Sequence, residues 1–426
     1  MTYDEAIDFL YNLEHGSVKL GLERIEEATR ALGHPERRYR TVHVAGTNGK
    51  GSTAAFLAAI LEAAGRRTGL LTSPHLLEYG ERIRVGGRML GRERIAALTT
   101  ELEPLIRETR LSYFEATTAL AFEAFARAGI EAAVIEVGMG GRLDATNVVS
   151  PDLTVVTGIA LDHTKSLGET CELIAREKAG IMKPGAPLLL ADCAPGVEAV
   201  FRRRGEELDS PVHRLQDRAR LESIEPLPRG TKLRIRRGAT GPIDERRIRL
   251  CGEHQARNAL LADVGGELLG LTPDARARGL EAARWPGRFQ VLEASGARPA
   301  VIVDVAHNPS GCATVVETYR RWMREPEPVL IVGMLGDKNH AEVFRSLRSL
   351  SAHLHLIPLD SSRAAPIERL EAAAAAGGFE PTVHDGFASA WDAARRRGAP
   401  ILILGSFHTV EAALRHLDIG PEATLY

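Results

Sequence analysis

Residues 42–53 read VHVAGTNGKGST, a β-branched run that ends in a loop with glycines at 46, 49 and 51 and a single lysine, Lys50. An alanine-rich stretch, STAAFLAAILEAAG (52–65), follows and closes at Gly65. Strand, glycine loop and helix in that order form the setting a phosphate site needs. Helix N-terminal N–H groups face the anion, glycines let the backbone approach it, and lysine neutralises charge. The spacing departs from the common pattern G-x-x-x-x-G-K-[ST]. Gly46 stands three residues before Gly49 rather than five, Gly51 occupies the place of the hydroxyl residue, and Ser52 brings the hydroxyl one place late. A structural turn with an incidental lysine fits the same letters. Lysine usage tips the balance: of 54 basic residues only seven are lysine (Lys19, Lys50, Lys165, Lys178, Lys183, Lys232 and Lys338). Where arginine builds the surface, a retained lysine points to a role arginine cannot fill, a compact point charge or an amine that can deprotonate.

Outward from the loop, strand-like and helix-like segments alternate. TVHVA (41–45), RTGLLTS (67–73), AAVIEVG (132–138) and LTVVTGIA (153–160) read as buried parallel strands, with helices predicted over 93–108 and 115–128. This is the βαβ grammar of a doubly wound sheet. Residues 229–250 change to short alternating segments with Gly and Pro turns, which predicts an antiparallel hairpin at the domain's edge. Helical patterns return at 253–270 and 273–283. RWPGRFQ (284–290) then breaks the periodicity, and a second α/β pattern begins with strands near 300–305, 328–333, 353–358 and 400–405. The expected fold is α/β: a doubly wound, phosphate-loop-containing domain over 1–284 and a smaller Rossmann-like domain over 285–426.

Bulk properties bound the function. A chain of 426 residues exceeds one ordinary core. Its 54 Lys+Arg against 56 Asp+Glu lack the basic excess of a nucleic-acid binder. Cys171, Cys193, Cys251 and Cys312 are scattered without C-x-x-C spacing, which argues against a disulfide framework and a zinc site and fits a reducing compartment. The acidic, amphipathic start MTYDEAIDFLYNLEHG is unlike a signal peptide, and no apolar run reaches the length of a membrane span. A cytoplasmic protein is expected, monomeric because no exposed apolar seam is evident.

Candidate chemistry clusters where strands give way to loops, the carboxyl edge at which open α/β sheets bind ligands. Glu136 ends AVIEV, Ser73 ends GLLTS, and Asp162 and His163 follow LTVVTGIAL. A carboxylate directly after a buried strand and beside a phosphate loop suits the magnesium of a nucleoside triphosphate. A capping carboxylate at Glu136 and a satisfied core histidine at His163 are the plainer alternatives. Lys178, in AREKAG, is either a surface lysine paired with Glu177 or an amine with a special role.

The loop GTNGKGS resembles the variant phosphate loop of the Mur-ligase superfamily. Stretches spread in order over nearly the whole chain narrow that resemblance: TSPHLLEYGERIRVGG (72–87), SYFEATTALAF (112–122), IEVGMGGRLDATNV (135–148), LDHTKSLGETCELIAREKAGIMKPG (161–185), HQARNAL (254–260), WPGRFQ (285–290), DVAHNPSG (304–311), GMLGDKNH (333–340) and GSFHTVEAAL (405–414). They resemble the folylpolyglutamate synthase/dihydrofolate synthase family. The resemblance implies an ATP site at Gly46, Thr47, Asn48, Gly49, Lys50, Gly51 and Ser52, with Asn258, Arg288 and Asp304. It implies Ser73, Glu136 and His163 as magnesium ligands. It also implies that Lys178 is carbamylated by carbon dioxide and so serves a second Mg2+. Carbamylation needs the neutral amine, hence a depressed pKa. Lys50, Lys178, Asp304 and His307 are the implied catalytic residues. Gly21 and Leu22 of KLGLERI, Ser112 and Phe114 of SYFEATT, and Arg142 and Asp144 of GRLDA fall on the pterin-side elements, with Phe114 stacking on the ring.

The implied reaction is ATP-dependent amide formation. ATP phosphorylates a substrate carboxylate, and the amine of L-glutamate attacks the acyl-phosphate. The carboxylate belongs to dihydropteroate or to a reduced folate, and SYFEATT with the LGL segment favours an enzyme that accepts both. Nucleotide ligands on either side of a hinge would tie catalysis to domain closure. A P-loop kinase or NTPase explains the loop and Glu136 but not the second domain's motifs. A cell-wall Mur ligase lacks SYFEATT and GMGGRLDATN, and a non-catalytic binding module would not keep every nucleotide and metal position.

Overall fold

The computed structural model describes residues 1–13, 21–227, 229–292, 300–323, 326–336 and 338–421. Lys19 and Leu20 of the KLGLERI segment lie outside the described residues. Two compact units divide the chain. The first comprises Met1–Ser223, Arg234–Arg246 and Arg257–Ala283, and the second Ile224–Leu233, Arg247–Ala256 and Arg284–Tyr426. The second unit's long segment begins at Arg284, and two short segments further upstream go with it.

Among the described residues the first unit's principal sheet has eight strands: β1 (Arg40–Ala45), β2 (Thr68–Leu71), β3 (Ile83–Val85), β4 (Arg88–Met89), β5 (Ala132–Glu136), β6 (Leu153–Val156), β7 (Leu188–Leu190) and β8 (Val212–Arg214). They lie in the order β4-β3-β2-β5-β1-β6-β7-β8. From β2 to β8 neighbouring strands run parallel, while β3 and β4 add an antiparallel edge. The central strands are short, rich in Val, Ile and Leu and buried along most of their length, as strands covered on both faces must be. The helix after the glycine loop spans Lys50–Ala63 and is buried on nearly every side, which its small alanines permit.

The expected strand over 153–160 stops at Val156, because the next residues turn outward to hold the glycine loop. The predicted hairpin gains a partner. β10 (Gly230–Arg237) and β11 (Ile243–Ile248) join β9 (Ala219–Leu227) in a three-stranded sheet of order β11-β10-β9. A connection as short as 238–242 only permits β10 and β11 to run antiparallel. Behind them Asp263, fully buried, receives Arg237, Arg246 (3.3 Å) and Arg276 (3.1 Å).

The second unit's sheet has the order β12-β13-β17-β14-β15-β16, built from β12 (Gln290–Leu292), β13 (Val301–Val303), β14 (Val329–Val332), β15 (Leu354–Leu356), β16 (Thr382–Val383) and β17 (Ile401–Leu404). Only β12 pairs antiparallel. Its core gathers Phe289, Ile302, Val332, Phe344, Leu356 and Leu404.

Candidate active site

The glycine loop is a fixed cradle. Gly46 has φ +149° and Gly49 φ +86°, backbone that a side chain rarely adopts. Space forbids one as well: a Cβ on Gly46 would lie 1.7 Å from Thr157 Oγ1, and one on Gly49 2.5 Å from Asn258 Oδ1. Thr157 Oγ1 donates to Asn48 O (2.7 Å), Thr47 N to Gly158 O (2.9 Å) and Thr47 Oγ1 to Ala160 O (3.0 Å). The segment after β6 thus straps down the loop, which leaves the N-terminal N–H groups of the Lys50–Ala63 helix aimed at the carboxyl edge of the sheet. Lys50 Nζ folds back onto Thr47 O at 3.2 Å, Ser52 is buried, and Asn258 sits against Gly49.

Lys178 meets the same loop from the other side. It is 3% exposed, and its Nζ donates to Gly46 O at 2.8 Å. Burial and then the nearby Lys50 ammonium pull its pKa down to about 7, against the opposing attraction of Asp162 and Asp144. Glu177 pairs with Arg142 instead (2.9 Å), which rules out the surface pair Lys178–Glu177. The reason is packing: Arg142 N donates to Glu177 O and Asn147 Nδ2 to Gly180 O, so the 141–147 loop covers this end of the helix.

Glu136, the last residue of β5, is buried, and its Oε2 accepts Ser73 N at 3.1 Å. Ser73 and Glu136 are therefore together. His163 is half-exposed with φ +48°, and its Nε2 lies 4.0 Å from Asp162 Oδ2. A satisfied core histidine it is not. Among the described residues no group of three or more His, Cys, Asp or Glu side chains is gathered as a ready metal site. Magnesium does not require one, since it keeps several waters and takes phosphate oxygens. A buried carboxylate and a serine at a phosphate loop are hard oxygen donors that fit it. A lysine amine fits only once converted to an anionic oxygen ligand.

The pterin-side residues fall into separate roles. Ser112 caps the helix Tyr113–Arg127, its Oγ donating to Glu115 Oε2 at 2.6 Å. Phe114 lies in the first turn, half-buried against Gly138. Asp144 is buried and accepts from Met139 N (2.9 Å) and Thr146 N (3.0 Å), capping the short helix Ala145–Val148. Burial pushes its carboxyl up while these hydrogen bonds oppose. Arg142 is half-exposed on Glu177, and Gly21 and Leu22 lead into the helix Glu23–Ala31. Beside Phe114 stands a cluster that the sequence reading missed. Arg82 Nε donates to His75 Nδ1 (2.7 Å), its guanidinium lies 5.3 Å from the Tyr113 ring centre, and Tyr11 stacks on Tyr113 at 5.4 Å. The available signal was Tyr113 within SYFEATT and His75 within TSPHL.

In the second unit, Asp304 directly follows β13 and is buried, accepting Phe289 N and Ala306 N, each at 2.7 Å. Burial raises its pKa, and the Arg288 charge and these two N–H groups resist. Arg288 lies 5.5 Å from the Phe407 ring centre. His307 Nδ1 is 2.9 Å from Val305 O, and Asn308 caps the helix Pro309–Trp322. Arg288, Asp304 and His307 thus share one corner of this unit.

Two known families match in sequence: the Mur ligase middle domain over residues 44–264 and the Mur ligase glutamate ligase domain over 287–407. The dihydrofolate synthase/folylpolyglutamate synthase of Escherichia coli K12 is 35% identical over 424 residues, covering 97% of this chain and 94% of that protein. The Bacillus subtilis protein of the same name is 34% identical over 375 residues, covering 85% and 86%. Among solved structures, Mycobacterium tuberculosis folylpolyglutamate synthase complexed with ADP matches with a TM-score of 0.90 at 31% identity, covering 97% of this chain and 98% of that one. E. coli FolC in complex with DHPP and ADP matches with a TM-score of 0.85 at 33% identity, covering 98% of each. With a strapped phosphate loop, two lysines converging on it and relatives aligned from end to end, this chain belongs to the folylpolyglutamate synthase/dihydrofolate synthase family of Mur ligases, ATP-dependent ligases.

Proposed function

We propose that this enzyme joins L-glutamate to dihydropteroate, forming dihydrofolate, and to the γ-carboxylate of reduced folates, forming folylpolyglutamates. The observation that carries the nucleotide half is the strapped glycine loop with Lys50 at the start of the buried helix, since helix N–H groups and an ammonium there suit an anionic occupant. The dual acceptor range rests on E. coli and B. subtilis relatives named for both activities. A folylpolyglutamate synthase alone is the second reading, favoured by the Lacticaseibacillus casei relative of that name, 30% identical over 98% of this chain.

In this reading the loop from Gly46 to Ser52 and Asn258 bind ATP, and Lys50 neutralises charge on the transferred phosphoryl group. Ser73, Glu136 and His163 would hold one magnesium ion and a carbamylated Lys178 a second, and these ions supply charge neutralisation at the phosphate oxygens. With a pKa near 7, the Lys178 amine is partly neutral at physiological pH, the form that attacks carbon dioxide and releases a proton to give the carbamate. Gly21, Leu22, Ser112, Phe114, Arg142 and Asp144 form the pterin side: Phe114 offers a ring face, Arg142 a polar contact, and Ser112 and Asp144 fix the backbone around them. Arg288 and Asp304 contact nucleotide, the Asp304 carboxylate attracting the Arg288 charge, and His307 joins Lys50, Lys178 and Asp304 as a catalytic residue. The acceptor carboxylate attacks the γ-phosphorus and ADP leaves. The glutamate amine then attacks the acyl carbon, expelling phosphate and forming the amide. The enzyme acts as a cytoplasmic monomer on these small molecules, without nucleic acid or membrane. Among the described residues no helix is long and apolar enough to cross a membrane.

The test is phosphate release with ATP and magnesium, omitting one substrate at a time, with products read by mass spectrometry. Release with glutamate plus either dihydropteroate or tetrahydrofolate, each gaining one glutamate, is expected. Product from one acceptor alone assigns a single activity, and release that ignores glutamate refutes the ligase reading.

A further inference from the structure

His43 lies on β1 three residues before the glycine loop, and the reaction as described makes no use of it. Its side chain is fully buried, and Nε2 lies 2.9 Å from Thr146 Oγ1. Thr146, also fully buried, donates that hydroxyl to Asp144 Oδ1 at 2.5 Å. Asp144 also accepts Met139 N and so fixes the loop that packs on the Lys178 helix, where Arg142 N donates to Glu177 O and a Cβ on Gly141 would lie 3.0 Å from Lys178 Cα; Lys178 Nζ in turn donates to Gly46 O. Hydrogen bonds from His43 through Thr146 to Asp144, and the packing of the 139–147 loop on the Lys178 helix, thus lead from β1 back to the glycine loop.

The protons have one consistent arrangement. An ionised Asp144 only accepts, so the single Thr146 proton goes to it, and the hydroxyl lone pair must take a proton from His43. His43 is then the Nε2–H tautomer. Its other nitrogen agrees: Nδ1 is buried without a hydrogen-bond partner, where a bare lone pair is tolerated better than an orphaned N–H. Burial, aided by Lys183, keeps the imidazole neutral.

We propose that His43 is a positioning residue for the ligase reaction: its Nε2–H commits the Thr146 hydroxyl to Asp144 and so holds the 139–147 loop against the helix that carries Lys178. The inference rests on the functional reading above for Lys178, and it concerns the turnover step, because none of the three groups is placed on ATP itself.

The full-length protein tests it. His43→Leu removes the donor, and His43→Gln returns an N–H near the position of Nε2. Thr146→Val breaks the next link. His43→Leu should lower kcat about tenfold with KM for ATP unchanged, and His43→Gln should recover most of the loss, the scale of one positioning hydrogen bond. Thr146→Val should match His43→Leu, and the double variant should be no worse than either single one, because a relay fails once. Losses that multiply, a Gln variant as poor as Leu, or wild-type turnover in His43→Leu each overturn the proposal. A second readout needs no activity: 15N spectra should show His43 with Nε2 protonated and Nδ1 bare from pH 6 to 8, assigned by its disappearance in His43→Gln. The opposite tautomer overturns the relay even in an active enzyme. A wild type without glutamate-dependent phosphate release would overturn the functional reading instead, and the spectra would still decide the relay.

Discussion

Replacing Lys178 with methionine should stabilise the first unit while abolishing turnover, and pH should show why. In CO2-free buffer the folded amine titrates at about 7 against an ordinary 10.5. The unfolded chain binds the proton more tightly, so the lysine destabilises the fold. That penalty is complete below pH 7, shrinks as pH rises from 7 to 10.5, and is gone above. Its full size is roughly 5 kcal/mol at 1.36 kcal/mol per pH unit. At pH 6 nearly all of it remains, and at pH 9.5 only about 1.4 kcal/mol. The stability advantage of Lys178→Met over wild type should therefore fall by about 3 kcal/mol between those pH values. The difference between pH values matters, because the lost bond to Gly46 O and the new apolar contacts are common to both. Trp285, Trp322 and Trp391 all lie in the second unit, so fluorescence would not follow this one. Urea titration read by hydrogen-exchange mass spectrometry on peptides covering Lys50–Ala63 would. Bicarbonate at pH 8 should then stabilise wild type but not the variant, since a ligand that reacts only with the folded amine shifts the balance by mass action. An advantage that is equal at pH 6 and pH 9.5 would refute the buried, weakly basic amine.

Lys50→Ala should lower ATP-dependent product formation by roughly a thousandfold or more, with circular dichroism unchanged, because it removes a cation from the phosphoryl site; normal turnover would dismiss the phosphate-loop assignment. Gly46→Ala places a Cβ 1.7 Å from Thr157 Oγ1 and breaks the strap on Asn48, so ADP affinity by calorimetry should drop at least about tenfold and Tm should fall. An unchanged ADP isotherm would contradict the cradle geometry. Asp263→Asn removes the buried carboxylate that Arg237, Arg246 and Arg276 share, leaving them only the partly exposed Asp244 and Glu267, and should destabilise by about 3 kcal/mol, read as a lower urea midpoint. A midpoint equal to wild type would mean that Asp244 and Glu267 suffice for the guanidiniums.

What the sequence disclosed and what it withheld divide along the range of the contacts. The phosphate loop was legible because every part of it is local: a β-branched strand, glycines at the turns and a helix that opens on Lys50. So was the position of Ser73 and Glu136 at the ends of strands that share one edge. The end of β6 was not legible. LTVVTGIA has the composition of one long strand, and its last residues leave the sheet because Thr157, Gly158 and Ala160 bond to Thr47 and Asn48, more than 100 residues earlier. Lys178 is the sharper case. AREKAG reads equally well as a solvated helix end, and only the 141–147 loop packing over that helix end, far off in sequence, turns it inward and weakens its amine. Asp144 shows the converse. Resemblance placed it on the pterin side, and the fold adds what no motif states, that its oxygens accept Met139 N, Thr146 N and the Thr146 hydroxyl. The strand residue that orders this polar path was read only as part of TVHVA, since a histidine among valines carries no sign of the hydroxyl waiting 103 residues on. Resemblance can nominate side chains for a site, but the groups that hold them in place become visible only once the chain has closed on itself.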